Sequence, residues 1–276
     1  MKYETPKIPE GINVSKTHPL KTFTVLIAGM LAVLLLSAWL LGLGGGYLAK
    51  KLPYSQELRL AETYQEVAAP QTELLFYLQQ LADRVAAAME LSDSMPVTIH
   101  YVSEPVDNAF ATIGGNIFLY KGLLQKLPSE NTLAMLIAHE IAHVAHRDPI
   151  VSVGQNAAIS MGMMVLLGNA DSGILGSTGL YTQMNFSRDM ETAADVRGLN
   201  AVQRIYGHVG GALDLYKILE SVSADSSVSQ PEFFSTHPQS STRLDDLNNL
   251  IQKHSWQQSP DVKLLPDDFS AWLSEG

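Results

Sequence analysis

Residues 129–149 read SENTLAMLIAHEIAHVAHRDP, and this stretch decides how the rest of the chain is read. Ser129 is placed to cap a helix, Glu130 falls in its first turn, and Pro149 stops it. Within it, His139 and His143 stand four residues apart, so their rings leave one face of the helix about a turn from each other. Two imidazoles so placed can share one tetrahedral metal ion, and Glu140 beside them can take a proton from a water molecule. Leu133, Leu136, Ile137 and Val144 make the helix a buried one, where unpartnered histidines are costly.

A catalytic zinc site needs a third protein ligand and one open position. Among the remaining histidines, His146 follows too soon to serve, so a carboxylate is favoured. Glu191 and Asp195 sit at i and i+4 on one face of a second helix, with the small Thr192-Ala193-Ala194 between them to allow close packing. Glu191 as ligand, with Asp195 hydrogen-bonded to the free nitrogen of a liganding imidazole, completes the set. No convincing fourth protein ligand is visible. A purely structural zinc site, which would need one, is therefore disfavoured.

Around these helices the pattern is mainly helical with a little strand. Leu74, Leu78, Leu81, Val85 and Met89 recur at helical spacing between Gln71 and Leu91. Pro96 to Val102 alternates as a strand, and Phe110 to Tyr120, broken at Gly114-Gly115, reads as a paired strand or hairpin. Further helices are expected around Met190–Tyr206 and Gly211–Val222, with a serine-rich loop from Ser221 to Gln230. Leu244, Leu247 and Leu250 mark another amphipathic helix. The apolar run Ala157–Leu167 is half the length needed to span a bilayer, and reads as a core helix or a membrane-facing flap. The stretch after Ser259 has no evident place.

The 276-residue chain carries a formal charge of −10 and no cysteine. The acidic balance argues against nucleic-acid binding, and the missing cysteines exclude disulfides, thiolate metal sites and cysteine nucleophiles. Only 17% of residues are charged, against about a quarter in a soluble domain. The deficit lies early: no charged residue occurs between Thr22 and Ala49. Phe23 to Leu43, as a helix, spans roughly 31 Å, about one bilayer core. The long polar leader and the poor cleavage site around Tyr47–Lys50 favour an uncleaved anchor over a signal peptide. Lys2, Lys7, Lys16 and Lys21 precede the span while Lys50, Lys51 and Arg59 follow it, a narrow vote for the domain outside. Gly44-Gly45-Gly46 and Pro53 are expected to break the chain between anchor and domain. The division expected is a polar leader (1–21), an anchor (22–49), a catalytic domain (50–254) and a tail (255–276). Deleting residues 1–49 would on this reading release a soluble domain.

Taken together, His139-Glu140-Ile141-Ala142-His143 with His146-Arg147-Asp148, Arg188 through Glu191 to Asp195, Thr236-His237-Pro238 before Arg243, and Asn108-Ala109-Phe110 with Gly114-Gly115 resemble the membrane-associated zinc metallopeptidases of the HtpX and CAAX-prenyl-protease type, which are gluzincins. The resemblance covers residues 70–250. It implies an α+β, mainly helical gluzincin-type domain with a small sheet, here behind one transmembrane helix. It also implies one zinc ion per chain on His139, His143 and Glu191, with Glu140 as base. Asn108, Ala109 and Phe110 would belong to an edge strand that pairs with peptide substrate. His237, far along the chain and fixed by Pro238, would donate to the developing oxyanion, and Arg243 would orient it or bind substrate. Where the family often has Pro-Gly-Gly, this chain has Ile113-Gly114-Gly115, so the turn into the edge strand is expected to differ. The function expected is a membrane-anchored zinc endopeptidase for unfolded or misassembled polypeptides. It would be single-pass in a bacterial inner membrane, touching lipid through the anchor, with its domain periplasmic. The competing expectation is a chaperone-like binding protein with a latent zinc site.

Overall fold

The structure is a computed structural model and describes residues 18–62, 72–167, 186–224, 233, 237 and 242–275. Helix α1 (Pro19–Lys51) is followed after Pro53 by the short α2 (Tyr54–Glu62). Helix α3 (Glu73–Ala88) leads into strands β1 (Thr98–Val102), β2 (Ala109–Thr112) and β3 (Asn116–Tyr120) and the one-turn α4 (Lys121–Leu124). Then come α5 (Glu130–His146), α6 (Asp148–Leu167), α7 (Arg188–Tyr206), α8 (Asp214–Ala224), α9 (Arg243–His254) and α10 (Phe269–Glu275).

The metal-motif helix is the core. Every residue of α5 from Glu130 to Val144 is buried, with α7, α3 and the sheet packed around it. Its start is as the sequence predicts: Ser129 Oγ accepts from Thr132 N at 3.2 Å. It ends at Arg147, in the left-handed region at φ 63°. Asp148-Pro149 both closes this helix and opens the next, so α6 is a 20-residue helix rather than the shorter segment expected from Ala157 onward. Close packing of α7 on α5 rests on Ala194 and Gly198, one turn apart. A side chain at Gly198 would press on Met135 Cε at 3.1 Å and His139 N at 3.3 Å. Thr192 and Ala193, expected to lie between the helices, are exposed.

In the three-stranded sheet the order is β1-β3-β2, with β1 parallel and β2 antiparallel to β3. Strands β1 and β2 are therefore the two edges of this sheet, and the edge strand expected around residues 108–110 is β2. The turn at Ile113–Gly115 leaves this edge strand for β3 instead of entering it. Both glycines have positive φ, 76° and 78°, and Gly115 lies so close to Pro96 O that no side chain fits.

Two expectations give way. Gly44-Gly45-Gly46 do not break the chain, because α1 continues through them to Lys51. Glycine is a poor helix former in water, but here Gly45 lies against the backbone of Gly154 on α6, where any Cβ would collide. The serine-rich loop begins later than expected, since α8 runs to Ala224, and residues 225–230 lie outside the described residues. The stretch after Ser259 also finds its place. Phe269 and Leu273 are buried, and Tyr101 donates to Leu273 O at 2.8 Å.

That C-terminal stretch is fastened at Glu130, the first residue of α5. Its buried carboxylate accepts from Tyr77, Tyr206, Arg84 and Lys263, and its backbone N–H donates to Lys263 O at 2.8 Å. Burial alone would raise the Glu130 pKa, but these donors hold it below the ordinary carboxylate range. The stabilisation is therefore present at neutral pH and is lost only as pH falls below that range. We predict that Glu130→Ala, which leaves the Tyr77 and Tyr206 hydroxyls without their acceptor while the half-exposed Arg84 and Lys263 turn to water, destabilises the fold by about 1–3 kcal/mol, read as a lower denaturation midpoint in detergent.

Candidate metal centre

Helix α5 presents His139 and His143 toward α7, with Nε2 atoms 3.1 Å apart. Glu191, in the first turn of α7, brings Oε1 to 3.4 Å from His143 Nε2 and Oε2 to 3.5 Å from His139 Nε2. His237 points Nδ1 into the same space, 3.0 Å from Glu191 Oε1 and 3.4 Å from His139 Nε2. One donor atom from each of these four buried residues lies within 4.8 Å of the other three. The sequence reading found no fourth donor. The structure supplies His237, because the fold returns the chain to α5 at Phe233, whose ring stacks on His237 with centroids 4.4 Å apart. Pro238, expected to fix it, lies outside the described residues.

The residues present fit a metal ion. Buried polar atoms in folded proteins are nearly always paired, yet both carboxyl oxygens of Glu140 and Nε2 of His237 are buried with no hydrogen-bond partner among the described residues. These atoms face each other, Glu140 Oε1 at 3.5 Å from His237 Nε2. A donor set of imidazoles and a carboxylate suits zinc among other divalent ions.

Each motif histidine is held from behind by a carboxylate. His139 Nδ1 lies 2.9 Å from Asp195 Oδ1, the pairing expected from the sequence. His143 Nδ1 lies 2.8 Å from Asp148 Oδ2, a residue that sequence reasoning left without a role. Asp148 follows His143 by five residues, beyond the helix end, so helical periodicity could not place it. The available signal was the acidic residue opening a new helix. Phe186 completes this side, stacked on His143 at 4.1 Å.

Arg243 has a different post from the one expected. Its Nε and Nη2 donate to both oxygens of Asp195 at 2.7 and 2.6 Å, and its Nη1 lies 3.0 Å from Glu191 Oε2. All three guanidinium nitrogens are engaged with carboxylates of the site. Tyr216 adds a 2.7 Å hydrogen bond to Asp195. Burial would raise the Asp195 pKa, but His139 and Arg243 pull it down to about 2. Burial would likewise lower that of His139, but Asp195 and Glu191 beside it raise it to about 10. A metal ion entering the group therefore displaces a proton from this pair.

Asn108, Ala109 and Phe110, all buried, lie at the start of the edge strand. Asn108 Oδ1 has no hydrogen-bond partner among the described residues, while Asn108 O accepts from Tyr120 N. Asp107 O, just before them, accepts from Phe233 N at 3.3 Å, so the segment bearing His237 is tied to the head of this strand.

Comparison with known proteins gives this constellation its context. The profile of peptidase family M48 matches residues 75–251, over half of the chain and including every site residue above. The chain belongs to peptidase family M48. Mitochondrial metalloendopeptidase OMA1 of Schizosaccharomyces pombe is 29% identical over 173 residues, 61% of this chain and 50% of that protein. OMA1 of Saccharomyces cerevisiae is 25% identical over 207 residues, covering 70% and 60%. The beta-barrel assembly-enhancing protease of Escherichia coli K12 is 27% identical over 214 residues, covering 70% and 41%. The chain thus spans about half the length of the curated relatives it matches. For this M48 member, Asp148→Asn should weaken metal affinity about 10–100-fold while leaving the fold intact, measured by competition with a chelator. Asp195→Asn should weaken it as much and also lower the denaturation midpoint, because it leaves Arg243 buried without its charged partner.

Proposed function

We propose that the chain is a membrane-anchored, zinc-dependent endopeptidase that hydrolyses unfolded or misassembled polypeptides beside a membrane. The observation that carries this reading is the buried Glu140 carboxyl, without a hydrogen-bond partner among the described residues, next to His139, His143 and Glu191, which together could hold a metal ion. A pure binder has no use for a base in that position. Zinc, when bound, would supply a Lewis acid that polarises a carbonyl and makes a water more acidic. Glu140 would take the proton from the attacking water and return it to the leaving amine. Asp195 and Asp148 hold the two imidazoles in the tautomer that leaves Nε2 free to ligate. The resemblance to the family puts substrate pairing on β2, an edge strand of the sheet whose residues are buried.

His237 we assign as the second donor, stabilising the oxyanion as the carbonyl is attacked. In the described arrangement it stands in the donor group itself. Peptide hydrolysis needs one corner of the site for substrate, so His237 has to draw back before it can act. The same observation favours the second reading, a binding protein whose site is held shut.

For the anchor, α1 is long and apolar enough to cross a membrane, and its apolar stretch is almost wholly exposed. A core helix of a soluble protein would be mostly covered. The basic residues, four before the span and three after it, are a narrow vote for the domain outside, and we read the location as a bacterial inner membrane with the domain periplasmic, which a C-terminal topology fusion tests.

Purified protein should carry one zinc per chain, lost in His139→Ala or His143→Ala, and Glu140→Gln should keep the metal while abolishing casein cleavage. Retained cleavage in Glu140→Gln, or absence of a transition metal by elemental analysis, would overturn the reading. His237→Ala should keep the metal on its three remaining ligands, with kcat lower by about 10²–10³ and KM little changed. A rise in kcat instead would show that the imidazole mainly holds the site closed.

A further inference from the structure

We infer that α6 is a second membrane element, its half from Ala157 to Leu167 lying in the lipid leaflet nearest the domain, alongside α1. The inference rests on the reading of α1 as the membrane span. Helices α1 and α6 run antiparallel in close contact. Gly154 of α6 lies against Gly45 and Ala49, Ile159 against Gly42, and Gly162 against Leu41. A Cβ on either Gly45 or Gly154 would collide with the backbone of the other helix. This is how helices associate in lipid, where apolar side chains gain little from each other and close backbone approach does the joining.

The register gives the depth. Gln155 lies beside Gly46, close to the charged end of α1 at Lys50 and Lys51. From Ala157 to Leu167 the only polar side chain is Ser160. These 11 residues rise roughly 16 Å, about half of a bilayer core, beside a part of α1 that belongs to the apolar run Phe23–Leu43. The side of α6 turned away from α1 is apolar and open: Met161 is 63%, Met164 50% and Val165 84% exposed. Acyl chains of the bilayer are the occupant that this surface fits, because it continues the lipid-facing surface of α1 at the same depth. A soluble-protein partner would have to enter the bilayer to reach it.

The consequence for the site is its height. Asp148, which holds His143, is the first residue of α6 and lies eight residues before Asn156. That places the metal group about 12 Å along the helix from the level where lipid begins. The polypeptides within reach are those lying at the bilayer surface or just emerging from it.

The cysteine-free sequence allows a direct test in the full chain. Single variants Val165→Cys and Met161→Cys are labelled with an environment-sensitive fluorophore and reconstituted in phosphatidylethanolamine–phosphatidylglycerol vesicles containing brominated-acyl phosphatidylcholine. Val33→Cys on α1 and Lys217→Cys on the exposed face of α8 serve as lipid and water references. Labels at 165 and 161 should be quenched by brominated lipid to the extent seen at 33, and be as insensitive to aqueous iodide. Quenching by iodide, or protection from both quenchers, at 165 and 161 while 33 responds to lipid would overturn the inference and leave the anchor reading intact. Absence of lipid quenching at 33 would overturn the anchor reading itself.

Discussion

Arg243 inserts a buried guanidinium between the carboxylates of Asp195 and Glu191, and the site depends on it. Two carboxylates and two imidazoles within a few ångströms, on helices packed tightly enough to exclude water, would otherwise repel or protonate. With His139 and the cation beside it, Asp195 stays ionised and accepts from Tyr216 and Arg243. The ionised carboxylate fixes the ring of His139, and the same cation turns Glu191 toward the shared metal position. Helices α5, α7, α8 and α9 are thereby joined at one point. The chemistry and the packing of the C-terminal half of the domain rest on the same ionic contacts.

What the sequence made legible was whatever repeats within one helix. His139, Glu140 and His143, and then Glu191 with Asp195, announce themselves by i, i+4 spacing, and the structure places each pair on the face that spacing requires. What it obscured was contact across elements. Asp148 sits one residue beyond the helix that it serves. Arg243 looked available for substrate because nothing local revealed the two carboxylates that claim it. His237 was expected as a distant donor, and its entry among the ligand atoms depends on a chain return at Phe233 that no periodicity encodes. The glycines at 44–46 misled for a related reason: their helix propensity is poor in isolation, and only the neighbouring Gly154 makes them useful.

The two halves of the fold are fastened differently. At the start of α5, Glu130 collects phenol, guanidinium and ammonium donors from α3, α7 and the C-terminal stretch. At its end, Arg147 does the converse, distributing donors. Its guanidinium binds Glu57 through Nε and Nη2, and reaches the carbonyls of Lys50 and Leu52 through Nη1. Glu57 in turn accepts from Gly114 N at the turn that follows the edge strand.

Arg147 bears on where the catalytic unit begins. The carbonyls of Lys50, in the last turn of α1, and of Leu52, just after it, are acceptors for the residue that caps α5, and the glycine face of α1 covers that of α6. A fragment starting at Pro53 would forfeit both carbonyls, and one starting at Lys50 would keep them but bare Gly154 and its neighbours to solvent. The helix usually regarded as a leash is here packed onto the domain, its stretch from Leu41 to Lys50 lying against α6 and within reach of Arg147.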